Sequence, residues 1–153
     1  MTNRRPKGTP TGGQFAPGAR AEADVDLDEE PVYTVLSDGS EERHLKNGRL
    51  HREDGPAVVG PGGYQEWRLN GQLHREDGPA VTYRDGTEMW FQNGELHRED
   101  GPAVLLPSGT EEWRQHGELH REDGPAEVNP TTGHQAWYRN GRRVDPPATA
   151  QRR

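Results

Sequence analysis

The chain lacks cysteine and is poor in apolar residues. No cysteine occurs among its 153 residues, which excludes disulfides and thiolate metal sites and suits a reducing compartment. Hydrophobic residues make up only 27% of the chain, and the longest apolar run, around Val104 to Leu106, is only a few residues long. Neither a membrane span nor the hydrophobic part of a signal peptide fits so short a run. These absences predict a cytoplasmic protein.

Charge is distributed unevenly along the chain. The net charge is −7, yet residues 1–20 carry four basic residues and no acid, whereas residues 21–30 carry six acids and no base. Acids again outnumber bases in the remainder. An acidic body repels the phosphates of nucleic acids and the headgroups of anionic lipids. We therefore expect no nucleic-acid partner and consider membrane binding unfavourable.

What the chain has instead is a tandem repeat. The octapeptide Leu-His-Arg-Glu-Asp-Gly-Pro-Ala occurs four times without a substitution, starting at Leu50, Leu73, Leu96 and Leu119, each 23 residues after the last. A fixed period of this length is typical of repeat architectures, in which each unit buries its apolar side against its neighbours. The 20 glycines and 13 prolines favour many tight turns over long helices.

Turn signals identify the repeated unit as a β-hairpin. Asn-Gly pairs at 70–71, 93–94 and 140–141, with His-Gly at 116–117, are typical of two-residue hairpin turns with positive φ. The sequence predicts an all-β fold, an elongated single-layer stack of β-hairpins. Residues 1–30 are predicted to be a disordered leader, residues 31–46 a degenerate capping repeat, residues 47–143 four hairpin repeats and residues 144–153 a tail.

The alternation of side chains along each strand predicts a core and a variable face. One tryptophan per unit, together with the leucine of each octapeptide, is predicted to form the core opposite a small alanine. These residues are Trp67, Trp90, Trp113, Trp137, Leu50, Leu73, Leu96 and Leu119. Apolar residues on the variable face are candidates for binding a partner, namely Tyr83, Met89, Phe91, Leu106 and Tyr138.

The polar residues of the octapeptide are predicted to form a ladder along the stack. Its members are His51, His74, His97, His120, Arg52, Arg75, Arg98 and Arg121. We expect each arginine to pair with the glutamate of the next octapeptide, Arg52 with Glu76 for example, and so to fix the register. Successive units lie about 9–10 Å apart, too far for neighbouring histidines to share one metal ion.

The repetition also argues against catalysis, which needs one asymmetric constellation of residues. We therefore predict no catalytic residue, no metal and no cofactor. A small metal-dependent hydrolase or nuclease that uses the repeated His, Glu and Asp rows is the alternative.

The hairpin unit resembles the MORN repeat, particularly its bacterial variant. The match runs through Trp67-Arg68-Leu69-Asn70-Gly71-Gln72-Leu73-His74 and through Gly78 to Gly86, and covers about residues 32–143. The Arg-Glu-Asp-Gly-Pro-Ala segment departs from it, because that family more often has a glycine-rich string there. The resemblance implies an elongated hairpin stack used in protein–protein contact and sometimes in contact with membrane lipid.

The N-terminal segment has a resemblance of its own. Residues 5–16 and 21–27 resemble a leader found on actinobacterial and actinophage proteins, which implies an origin and a phage-associated location as the alternative to the cytoplasm. Together the two resemblances predict a non-catalytic protein-interaction or scaffold module, antitoxin-like or an accessory of the virion or of host interaction. Its partner is predicted to be a protein; the sequence leaves that partner's identity and the oligomeric state open.

Overall fold

A computed structural model describes residues 32–45 and 47–148 of the chain. The leader predicted to be disordered, residues 1–30, lies outside these ranges, as does the end of the predicted C-terminal tail. Within them the fold is all-β, which confirms the predicted class. No described helix is long and apolar enough to span a membrane.

Seventeen short strands build the structure. In chain order they are β1 (Val32–Val35), β2 (Glu41–His44), β3 (Val58–Val59), β4 (Gln65–Glu66), β5 (Arg68–Leu69), β6 (Gln72–Leu73), β7 (Val81–Thr82), β8 (Glu88–Met89), β9 (Phe91–Gln92), β10 (Glu95–Leu96), β11 (Val104–Leu105), β12 (Glu111–Glu112), β13 (Arg114–Gln115), β14 (Glu118–Leu119), β15 (Glu127–Asn129), β16 (His134–Arg139) and β17 (Arg142–Val144). The one helical segment of the described residues is a 3-10 turn at Pro61–Gly63.

Eleven of these strands form one long antiparallel sheet. Its order is β1-β2-β3-β4-β7-β8-β11-β12-β15-β16-β17, so each unit adds one hairpin beside the previous unit. The register is regular along the sheet: Val81 pairs with Glu66 on one side and with Met89 on the other. The predicted stack of hairpins is confirmed.

The structure adds one feature that the sequence did not predict: the second strand of a unit divides at its tryptophan. Trp67, Trp90 and Trp113 lie between two short strands, and the part that follows each of them pairs within a separate two-stranded sheet. These small sheets are β5-β6, β9-β10 and β13-β14. In the last unit β16 runs through Trp137 without a break. Each tryptophan of the first three units therefore stands at a corner between the long sheet and a side hairpin.

The turns of the side hairpins have the backbone conformation that the sequence predicted. Asn93 and Gly94 have φ angles of 52° and 84°, and the same positive pair recurs in the other units, including His116 and Gly117. Positive φ at both central residues defines the type I′ turn, which suits the right-handed twist of the flanking strands. This part of the sequence prediction is confirmed.

The most deeply buried residues are small. Ala57, Ala80, Ala103 and Ala126 are at most 1% exposed, and the next residues in three units, Val58, Val81 and Val104, are also buried. The tryptophan and leucine rows that the sequence placed in the core are only half-buried. The most buried positions of the repeat are therefore alanines and valines.

The conformation of the turns supplies a stability test. Asn93→Ala should lower the free energy of unfolding by about 1 kcal/mol, because a Cβ-bearing side chain without a compensating polar group is strained at positive φ. Asn93→Gly is the matched control and should stay within about 0.5 kcal/mol of the wild type. Chemical denaturation of the three proteins checks this; equal losses in both variants would contradict the account.

Candidate functional site

The first two residues of each octapeptide hold a turn that lies further along the chain. The Leu50 carbonyl accepts a hydrogen bond from the Gly71 N–H at 2.7 Å, and His51 Nδ1 accepts from the Asn70 N–H at 3.0 Å. The same two bonds recur in the other three units. The histidine rows thus bind successive units together.

In the last three octapeptides the arginine lies against both an indole ring and a glycine. The Arg98 guanidinium lies 4.2 Å from the ring centre of Trp90 in the preceding strand. On its other side, a Cβ added at Gly101 would come within 2.6 Å of the guanidinium carbon. The arrangement repeats at Arg75 and Arg121. Cation–π stacking of this kind favours the planar guanidinium over an ammonium group.

The predicted ladder between arginines and the glutamates of the next unit is wrong. Arg52 Nε instead donates to Asp54 Oδ1 of its own octapeptide at 2.8 Å, and the same internal pair forms in the other three copies. The guanidinium also donates, through Nη1, to the Pro56 carbonyl of the same octapeptide, so its hydrogen bonds are made within its own unit and not with the neighbouring one. Its hydrogen bond holds the pKa of the Asp54 carboxyl below the usual range.

The glutamates of the octapeptides face solvent. The side chains of Glu53, Glu76 and Glu99 are 83–85% exposed, and each approaches only a histidine Nε2 at 3.9 Å. Shallow cavities of about 430 and 420 Å³ separate successive octapeptides. No group of three or more His, Asp and Glu within residues 32–45 and 47–148 is arranged to hold a metal ion.

Apolar side chains gather on the other candidate surface, the variable face of the long sheet. Tyr83 is 43% exposed, and its ring centre lies 5.4 Å from that of Tyr64. Met89 pairs with both Val81 and Val104 in the register of the sheet, so it lies beside the tyrosines in the same apolar strip. We call Tyr64, Tyr83, Met89, Phe91 and Leu106 the aromatic patch.

The remaining two members follow from the repeat geometry. Phe91 lies two residues after Met89. In the preceding unit the residues at these two positions, Arg68 and Glu66, contact each other at 2.5 Å, so both positions lie on the same face. Leu106 occupies in its unit the position of Tyr83 and likewise donates its backbone N–H across the hairpin, to Thr110. The structure therefore brings together four of the five predicted partner-binding residues.

Ion pairs border the patch on both sides. The Arg68–Glu66 pair lies in the preceding unit and the Arg114–Glu112 pair, at 2.8 Å, in the following unit. Tyr138, the fifth predicted residue, belongs to the fourth unit, beyond the second ion pair, and is therefore not part of the patch.

Sequence reasoning missed Tyr64. The residues at the equivalent position of the next two units are Thr87 and Thr110, so the repeat gave no sign of an aromatic residue there. The Tyr64 hydroxyl donates to the Glu66 carboxylate, and burial raises the pKa of that hydroxyl. The position of Tyr64 became apparent only from the pairing of β4 with β7.

Comparison with known proteins gives no match: no protein-family model matches the chain, and no curated protein sequence is similar to it.

The stacked arginines predict a difference between two neighbouring side chains that occur in every octapeptide. Arg98→Lys should lower the free energy of unfolding by about 1–2 kcal/mol, because lysine loses the planar stacking on Trp90 and the fixed bond to Asp100. Glu99→Gln, a change at the adjacent exposed position, is the control and should stay within about 0.5 kcal/mol of the wild type. Thermal and denaturant unfolding would measure both; a larger loss in the control would refute the assigned roles.

The aspartates predict how stability depends on pH. The Arg98 guanidinium holds the pKa of the Asp100 carboxyl below its ordinary value of 3.8, so this group stabilises the fold above that value. The contribution is lost as the pH falls through the lower folded-state pKa. Between about pH 5 and pH 2, the unfolding free energy of Asp100→Asn should therefore fall less steeply than that of the wild type. Urea titrations at several pH values test this, and parallel curves for the two proteins would count against it.

Proposed function

We propose that this chain is a non-catalytic protein-interaction or scaffold module, built from MORN-like repeats, whose contact surface is the aromatic patch. One observation carries the proposal. Tyr83 is the only exposed large apolar side chain of residues 47–143, and it stands among the other members of the patch rather than alone. Clustered aromatic and methionine side chains at a surface are typical of protein contact sites.

The surroundings of the patch fit the anatomy of such a site. Energetically dominant contacts lie in an apolar centre, and a polar rim around it excludes water. The Arg68–Glu66 and Arg114–Glu112 pairs supply charges of both signs at the border. A partner that presents an apolar side chain to Tyr83 and polar groups to these two pairs would match the surface.

The octapeptides support the non-catalytic part of the proposal. Their leucine carbonyl, histidine Nδ1, arginine and aspartate are all engaged in holding the repeat together. A general base or a metal ligand needs a free lone pair directed at a substrate or an ion. The resemblance to MORN repeats, a family used in protein–protein contact, agrees with the same reading, and a virion or antitoxin-like accessory role is our proposal for its context.

A charge introduced at the centre of the patch tests the proposal. Tyr83→Arg should weaken capture of the cognate protein from a lysate of the source cells by about tenfold or more, because an arginine cannot replace the buried aromatic contact. Tyr138→Arg, the same change on the same face outside the patch, is the matched control and should retain capture. Quantitative mass spectrometry of the captured proteins, with melting curves to verify folding, provides the readout.

The opposite result is equally clear. Unchanged capture by a folded Tyr83→Arg protein would rule out the patch, and equal loss in both variants would indicate a contact spread over the whole face.

A further inference from the structure

The first strand of the sheet leaves an apolar edge open. Six large hydrophobic side chains are exposed among the described residues, and four of them belong to residues 32–36: Val32, Tyr33, Val35 and Leu36. Strand β1 pairs with β2 on one side, and no described strand lies on its other side. Open edges that are apolar and uncharged readily pair with another strand.

The backbone of β1 offers a defined set of hydrogen-bonding groups at this edge. Leu36 directs its N–H toward β2, where it donates to the Ser40 carbonyl. Because successive residues of a strand alternate in direction, Thr34 and Val32 also face β2. Tyr33 and Val35 therefore direct their N–H and C=O groups outward.

The opposite edge of the sheet is different. Strand β17 carries Arg142 and Arg143, both exposed, and the chain continues into Pro146 and Pro147. Charged side chains and proline are the usual protection of edge strands against pairing. The two ends of the sheet are thus unequal, and the apolar β1 edge fits a copy of itself better than it fits β17.

We propose that two copies of this chain associate through β1, antiparallel about a two-fold axis at Thr34, and join their sheets into one. A residue whose backbone N–H and C=O groups point away from β2 must pair with a residue of the same kind in the second copy. Tyr33 therefore lies opposite Val35 of the second copy. This register forms four backbone hydrogen bonds between the copies. If the register were shifted by two residues, Tyr33 would lie opposite Tyr33 of the second copy, and Val35 would lie opposite Pro31, which has no N–H.

The side chains suit this register. Tyr33 opposite Val35 is an aromatic–β-branched pair, and Thr34 opposite Thr34 is a pair of hydroxyl residues; both combinations stabilise antiparallel strands. No pair within the paired segment brings like charges together. Because the interface uses the same edge of both copies, it closes at two and does not extend into a filament.

Mass in solution tests the association. The full chain has a mass of 17.1 kDa, so sedimentation equilibrium should give twice this value. Val35→Lys places a charge on the open edge at a residue that is already 58% exposed and should return the protein to the monomer. Val144→Lys is the matched control on the other edge strand and should remain dimeric. A monomeric wild type, or species larger than a dimer, would overturn the proposal.

A single introduced cysteine tests the register. The chain contains no cysteine, so Thr34→Cys creates one thiol per copy. In the proposed register the two copies of residue 34 form a pair without hydrogen bonds between them. The Cα atoms of such a pair are about 4.5 Å apart, within the range that a disulfide bridges. Mild oxidation should convert Thr34→Cys into a covalent dimer, whereas Val144→Cys should stay largely unlinked. Equal linkage of both, or none at Thr34, for instance because a segment of residues 1–31 occupies the edge, would overturn the register.

Discussion

The structure depends on the hydrogen bonds that join each octapeptide to the turn of the following hairpin. The units have little apolar mass, and their most buried side chains are alanines and valines, so hydrophobic burial alone specifies little about how one unit sits on the next. The Leu50 carbonyl and His51 Nδ1 supply that specification by fixing the backbone of Asn70 and Gly71. Repeating this contact at each step produces a regular sheet.

These contacts give a structural role to several of the positions that are identical in the four octapeptides. In the last three copies the arginine lies against the indole of the preceding unit and against a glycine that has no Cβ, and aspartate holds it in that position. Glutamate is the exception in the first three copies, where its side chain faces solvent, whereas Glu122 of the fourth copy pairs with Arg139 at 3.0 Å. With the scaffold fixed in this way, the variable face is free to differ, and in the second unit it became apolar.

The two proposed contacts use different parts of the molecule. The aromatic patch lies on a face in the middle of the sheet, whereas β1 lies at its end, so a dimer formed through β1 would leave the patch open. Two patches would then be presented by one continuous sheet. Paired binding sites on a rigid support raise the effective concentration of a second contact, which suits a scaffold.

The sequence by itself determined the repeat, the hairpins and their type I′ turns, because Asn-Gly at a fixed period has few other conformations available. It also identified Tyr83, Met89, Phe91 and Leu106 by strand alternation. Only the tertiary structure decided the split at each tryptophan, the arginine–aspartate pairing and the place of Tyr64 beside Tyr83. These depend on which groups meet across strands: the octapeptide contains both Glu and Asp as partners for Arg52, and only the fold of the backbone selects Asp54.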